Sequence, residues 1–133
     1  MPDQFLHGDI NNSIYKDFTV DVEKPGVKLT WGYYFDGIVG GTYAEVVWRI
    51  YDPDDNCIAN GYKLHNSGGA GIFEEVDTAY HGTPNLAPGN VHSTPDGQNF
   101  HVGDIIRVNI RAASQIWQGY EFGVGYVIVE MVD

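Results

Sequence analysis

The sequence predicts an all-β domain, a two-sheet antiparallel sandwich of the jelly-roll or immunoglobulin-like kind with almost no helix. Three observations predict it. Short stretches of strictly alternating apolar and polar residues recur along the chain. The 17 glycines and 6 prolines are spread between those stretches as turn signals rather than gathered in one linker. No window carries apolar residues at i, i+3 and i+4 over three turns, so nothing calls for an amphipathic helix.

Residues 16–23 alternate with Phe18, Val20 and Val22 on one face, and Pro25-Gly26 makes the turn. Residues 27–35 set Val27, Leu29, Trp31, Tyr33 and Phe35 against Lys28, Thr30, Gly32 and Tyr34. Residues 42–51 place Ala44, Val46, Trp48 and Ile50 inward, with Tyr43, Glu45, Val47, Arg49 and Tyr51 outward. Asp52-Pro53-Asp54-Asp55-Asn56 is a turn in which proline fixes φ and the Asp and Asn side chains close on the backbone. Residues 57–65 return as the second strand of that hairpin.

After the glycine-rich run at 67–71, residues 72–76 form a short strand, and 78–98 are expected as a long irregular loop. Residues 104–112 put Ile106, Val108, Ile110 and Ala112 inward and Ile105, Arg107, Asn109 and Arg111 outward. Residues 120–131 alternate again, with Phe122, Val124, Tyr126 and Ile128 expected inward, and Gly123 and Gly125 on the opposite face. Residues 1–14 are assigned as an N-terminal arm or edge segment and 15–133 as one sandwich domain.

At 133 residues the chain buries a hydrophobic core without needing a metal or disulfide staple. Its single cysteine, Cys57, excludes an intrachain disulfide and is read as a small buried hydrophobe. Eighteen acidic against seven basic residues give a formal net charge of −11, a field that repels nucleic acid and anionic membrane surfaces. No apolar run approaches the roughly 18 residues needed for a spanning helix, and residues 1–14 show neither the basic start nor the apolar stretch of a secretory signal. A virion or extracellular location is expected.

The histidines His81, His92 and His101 stand near Asp77, Asp96 and Asp104 and are the candidates for a transition-metal site. The stretch from Gly82 to His92, with Pro84, Pro88 and Gly89, resembles the second cupin motif with one residue fewer between proline and glycine. The first cupin motif, His-x-His with its following Glu, is absent. Solvent-exposed loop histidines, and no metal, is the reading adopted. The Asp52–Asn56 turn offers oxygen ligands for calcium but lacks the spacing, glycine and terminal Glu of an EF-hand loop. No cofactor is expected, with calcium as the open option.

Aromatic residues, three Trp, nine Tyr and six Phe, make up 14% of the chain. Trp31 and Trp48 lie on inward faces, whereas Trp117 falls in the loop 114–119 between two strands. Trp117, Tyr34 and Tyr51 are the candidate ligand-binding residues, because an exposed ring stacks on a sugar or anchors an interface. Arg107 and Arg111, four apart on one face, either pair with acids across the sheet or grip a carboxylate.

No nucleophile elbow or phosphate loop is present, and nothing in the spacing of Glu45, Glu74, Glu75 and Glu121 selects an acid–base pair. No catalytic residue is assigned.

The segment from Phe100 to Ile110, with its Val102-Gly103-Asp104, followed by the strand to Met131, resembles the closing strands of jelly rolls of the complement and tumour-necrosis-factor kind. The same order occurs in trimeric phage fibre heads. The resemblance covers about a quarter of the chain and carries no site residues.

The expected function is therefore non-enzymatic and structural, a virion-type decoration, fibre or tail component that forms a homo-oligomer, with a trimer favoured. A carbohydrate-binding module or lectin using exposed aromatic rings, with a glycan as partner, is the alternative. A metal-dependent β-barrel enzyme comes third.

Overall fold

The computed structural model describes residues 4–7, 11–36, 42–67, 71–87, 91–114 and 121–133. Ten strands are described: β1 (Gln4–His7), β2 (Asn11–Thr19), β3 (Gly26–Asp36), β4 (Thr42–Tyr51), β5 (Cys57–Ser67), β6 (Gly71–Tyr80), β7 (Gly82–Thr83), β8 (Thr94–Pro95), β9 (Ile105–Ser114) and β10 (Glu121–Val132). One four-stranded sheet runs β1-β10-β3-β6 and the other β2-β9-β4-β5, with every described pairing antiparallel. With the two-residue strands β7 and β8 set aside, the remaining eight take the order 1-8-3-6 and 2-7-4-5. The chain alternates between sheets as it does in a jelly roll, which selects that topology over the immunoglobulin-like one.

Burial matches the alternation. Val27, Leu29, Trp31, Tyr33 and Phe35 of β3 face Ala44, Val46, Trp48 and Ile50 of β4 and Ile106, Val108 and Ile110 of β9, and all are buried. Trp31 stacks on Tyr33 with centroids 4.2 Å apart, and Phe73 stacks on the same ring at 5.6 Å. Burial, helped by the nearby Glu75 charge, raises the Tyr33 phenol far above its ordinary pKa.

Three expectations change. Val22 is exposed, because the strand that contains Phe18 ends at Thr19 and the chain then turns toward Lys24 and Phe100. In β10 the register with β3 shifts between Val124 and Tyr126. This bulge at Gly125 reverses the facing of the later residues of the strand, so Val127 is buried, Ile128 is exposed and Tyr126 sits over the outer face. A Cβ on Gly32 would lie 2.3 Å from the Tyr126 ring, so glycine at 32 is what lets that ring lie flat on the sheet.

The third change concerns β6, which continues to Tyr80. Its inward positions include Glu75 and Asp77, which broke the apolar pattern. Each acid is matched. Glu75 meets His65 Nδ1 at 3.2 Å. Asp77 accepts a hydrogen bond from Trp48 Nε1 at 2.7 Å and contacts His92 Nε2 at 2.6 Å. Charges pointing inward from an edge strand also discourage pairing with another chain.

The expected irregular stretch is ordered by β7 and β8, which pair with each other, and by Asn60 of β5, which is fully buried. The Asn60 carboxamide accepts from the Asn85 amide at 2.8 Å and donates to the Asn85 carbonyl at 3.0 Å and to the Val91 carbonyl. Its own carbonyl accepts from Ser93 N at 3.0 Å. One side chain thus replaces the neighbouring strand that the loop lacks.

The β4–β5 turn closes on Asp52. Its carboxylate accepts from the amides of Asp54 and Asn56, each at 2.9 Å, and Asp55 takes a positive φ of 71°. The Asn56 amide above all holds the Asp52 carboxyl below the usual carboxylate range.

Two outcomes are expected. A Cβ on Gly61 would lie 2.3 Å from Trp48 Nε1 and 2.8 Å from Asp77 Oδ2, so Gly61→Ala should destabilise the fold by about 1–3 kcal/mol. An unchanged urea midpoint would contradict this. Asp52, with a depressed folded pKa, contributes stability above its unfolded value of about 3.9 and loses it as pH falls through the folded value. The gap in urea midpoint between the wild type and Asp52→Ala should therefore be widest near neutrality and narrow in acid.

Candidate functional site

The two outer faces of the sandwich carry the exposed aromatic residues, and they differ in chemistry. On the β1-β10-β3-β6 sheet, even-numbered positions of β3 and β6 point outward, so Tyr34 stands beside its register partner Ile72, and Gly32 beside Glu74. Across the sheet, Tyr126 of β10 lies opposite Gly32. Together Gly32, Tyr34, Ile72, Phe73, Glu74 and Tyr126 line a concavity of about 370 Å³. Ile72 is 91% exposed at its rim, and Val76, Tyr80 and Ile128 continue the exposed apolar strip.

Polar groups edge the strip. Tyr126 Oη donates to Glu74, which raises the phenol pKa, and Lys28 lies 3.9 Å from Glu130. An apolar centre with a polar rim is the anatomy of a protein contact, and a cavity of this size holds one or two large side chains.

On the β2-β9-β4-β5 sheet the outer face collects all three arginines of the chain: Arg49 on β4, and Arg107 and Arg111 on β9. Arg49 and Arg107 are direct register partners. The Arg107 guanidinium lies 4.9 Å from the Tyr51 ring centroid, a cation–π contact. A groove of about 130 Å³ runs between Tyr15, Val47, Arg49, Tyr51, Arg107 and Asn109. Beside it, Glu45 is buried on this outer face by Arg111, which donates to it, and by Tyr62, whose hydroxyl donates at 2.6 Å. Arg111 therefore does pair across the sheet, as the spacing allowed.

The sequence-derived candidates do not gather in one place. Tyr34 and Tyr51 both reach outer faces, but opposite ones, so they do not share a site. Trp117 lies outside the described residues. The three histidines separate. His81 Nδ1 contacts Asp96 at 2.9 Å, His92 contacts Asp77, and His101 Nδ1 lies 3.3 Å from Glu23. Among the described residues no three His, Cys, Asp or Glu side chains converge as a metal site.

The Asp96 carboxyl is held below its usual range, chiefly by the Gln98 amide. Asp52 is occupied by its own turn. Burial pushes the Cys57 thiol up, the opposite of what a nucleophile needs. Ile72, Tyr126 and Tyr15 were missed as site residues. Ile72 and Tyr15 each sit at a strand position whose partners across the sheet decide its surroundings, and the facing of Tyr126 depends on the bulge.

No protein-family model and no curated protein matches the chain. Among solved structures it is similar to that of infectious bursal disease virus, Gx strain, with 10% identity and a TM-score of 0.41, covering 99% of this chain and 37% of that one. It is also similar to the VP2 subviral particle of infectious bursal disease virus, with 10% identity and a TM-score of 0.29, covering 98% of this chain and 41% of that one. The chain spans well under half the length of these neighbours.

Proposed function

We propose that the domain is a non-enzymatic assembly module that associates with further copies of itself through the outer face of the β1-β10-β3-β6 sheet. The observation that carries this reading is Ile72. A large aliphatic side chain left 91% exposed, beside a concavity lined by tyrosine and phenylalanine, is a protruding group next to a recess of matching chemistry. Ile72 itself lines that recess, so the protruding group and the hollow belong to one patch. Around a three-fold axis each copy sets its Ile72 into the recess of the next, and the assembly closes with three copies. A trimer of this kind suits a structural component of a larger particle, of the decoration, fibre or tail type.

Chemistry elsewhere supports a role without catalysis. His65, His81, His92 and His101 are each occupied by a separate carboxylate, and burial disfavours the ionised Cys57 thiolate.

Burying an isoleucine contributes about 1.5–3 kcal/mol at each contact, so replacing it with a charge should dismantle the ring. Light scattering coupled to size exclusion should give a trimer for the wild type and a monomer for Ile72→Asp. The unfolding midpoint of the variant as a monomer should stay within about 0.5 kcal/mol of the wild-type monomer, because the side chain touches little in a single copy. A wild type that stays monomeric at high concentration, or a variant that still forms trimers, would reject this assembly mode.

A further inference from the structure

We infer that the groove on the outer face of the β2-β9-β4-β5 sheet is a binding site for a carboxylated sugar, such as a uronic acid, separate from the assembly face. The first ground is charge placement. The chain carries 18 acidic residues and only seven basic ones, yet its three arginines share this one face. Arg49 and Arg107 stand directly opposite each other on neighbouring strands, where like charges destabilise a sheet. Asp17, the β2 register partner of Arg107, and Asp55 balance part of this charge, and the planar guanidinium fork matches a carboxylate.

The second ground is the state of Arg107. Its carboxylate neighbours, Asp17 and Asp55, lie at 3.8 and 3.7 Å, too far for hydrogen bonds. They and the Tyr51 ring hold the guanidinium in place while leaving its N–H groups available for a ligand.

The third ground is the shape and lining. At about 130 Å³ the groove suits a single ring rather than a folded partner. Tyr15, 62% exposed, and Tyr51 form walls against which the C–H face of a pyranose can rest. Asn109, in the same groove and the register partner of Tyr15, brings a carboxamide suited to a sugar hydroxyl. The anionic group would sit on the arginines and the ring on the tyrosines, so a neutral sugar or a bare carboxylate would each satisfy half of the site.

The test is nuclear magnetic resonance titration of the full chain with methyl β-glucuronide, methyl β-glucoside, acetate and a polyglutamate peptide. The glucuronide should produce saturable shifts at the Arg107 Nε–H, the Asn109 side-chain amide and the Tyr15 and Tyr51 rings, and should bind at least tenfold more tightly than the glucoside or acetate. Arg107→Gln should weaken glucuronide binding at least tenfold, as expected for loss of a charge-assisted hydrogen bond. Arg49→Gln gives an independent check on the same carboxylate.

Absence of saturable shifts would overturn the inference, as would shifts mapping to another face or glucoside binding equal to glucuronide. Acetate or polyglutamate binding as tightly as the glucuronide would replace the sugar with a plain carboxylate or an acidic partner chain. None of these readouts depends on Ile72 or on the oligomeric state, so this site and the assembly face can fail separately.

Discussion

The structure depends on one hydrogen bond across its interior, from Trp48 Nε1 to the Asp77 carboxylate at 2.7 Å. Trp48 belongs to one sheet and Asp77 to the other, so the bond joins the two layers, as the His65–Glu75 contact does between β5 and β6. A buried carboxylate is tolerable only when its oxygens are matched, and here one takes the indole and the other His92. His92 carries the loop before β8 onto the sandwich edge, where Asn60 holds it. Gly61 leaves the space that the indole and carboxylate occupy.

Much of this frame was legible in the sequence wherever strands bury one complete apolar face. The inward sets of β3, β4 and β9 are the residues that alternation selects, and the Asp52–Asn56 turn is the one its side chains dictate. The failures share a physical cause: polar residues placed inside, or a residue inserted in the count. Asp77 interrupts the apolar pattern of β6, so alternation alone ends the expected strand at Val76. Gly125 adds a residue to β10, and from there every facing is reversed. No local signal reveals that Asp77 meets Trp48, 29 positions away, or that Asn60 meets Val91.

The sites were half legible for a related reason. Sequence marks Tyr34 and Tyr51 as outward, but sheet topology decides which sheet each belongs to and which neighbours complete it. Arg49 becomes a partner of Arg107 only through the pairing of β4 with β9. Jelly rolls serve as capsid domains, lectins and cupins, so the fold leaves the function open and the faces must decide it. One face is apolar with a protruding isoleucine, and the other is aromatic and cationic. That contrast is the basis for assigning assembly to the first and ligand capture to the second.

The division of labour between the faces is tested most directly by solvent accessibility in the associated state. Methyl and amide relaxation would be measured at high protein concentration with a soluble, neutral paramagnetic agent. Ile72, Val76 and Ile128 should become shielded as concentration rises, while Tyr15, Tyr51 and Arg107 stay as accessible as in dilute solution. Shielding of the arginine face with Ile72 still accessible would contradict that division, and would move the assembly contact to the opposite side of the sandwich.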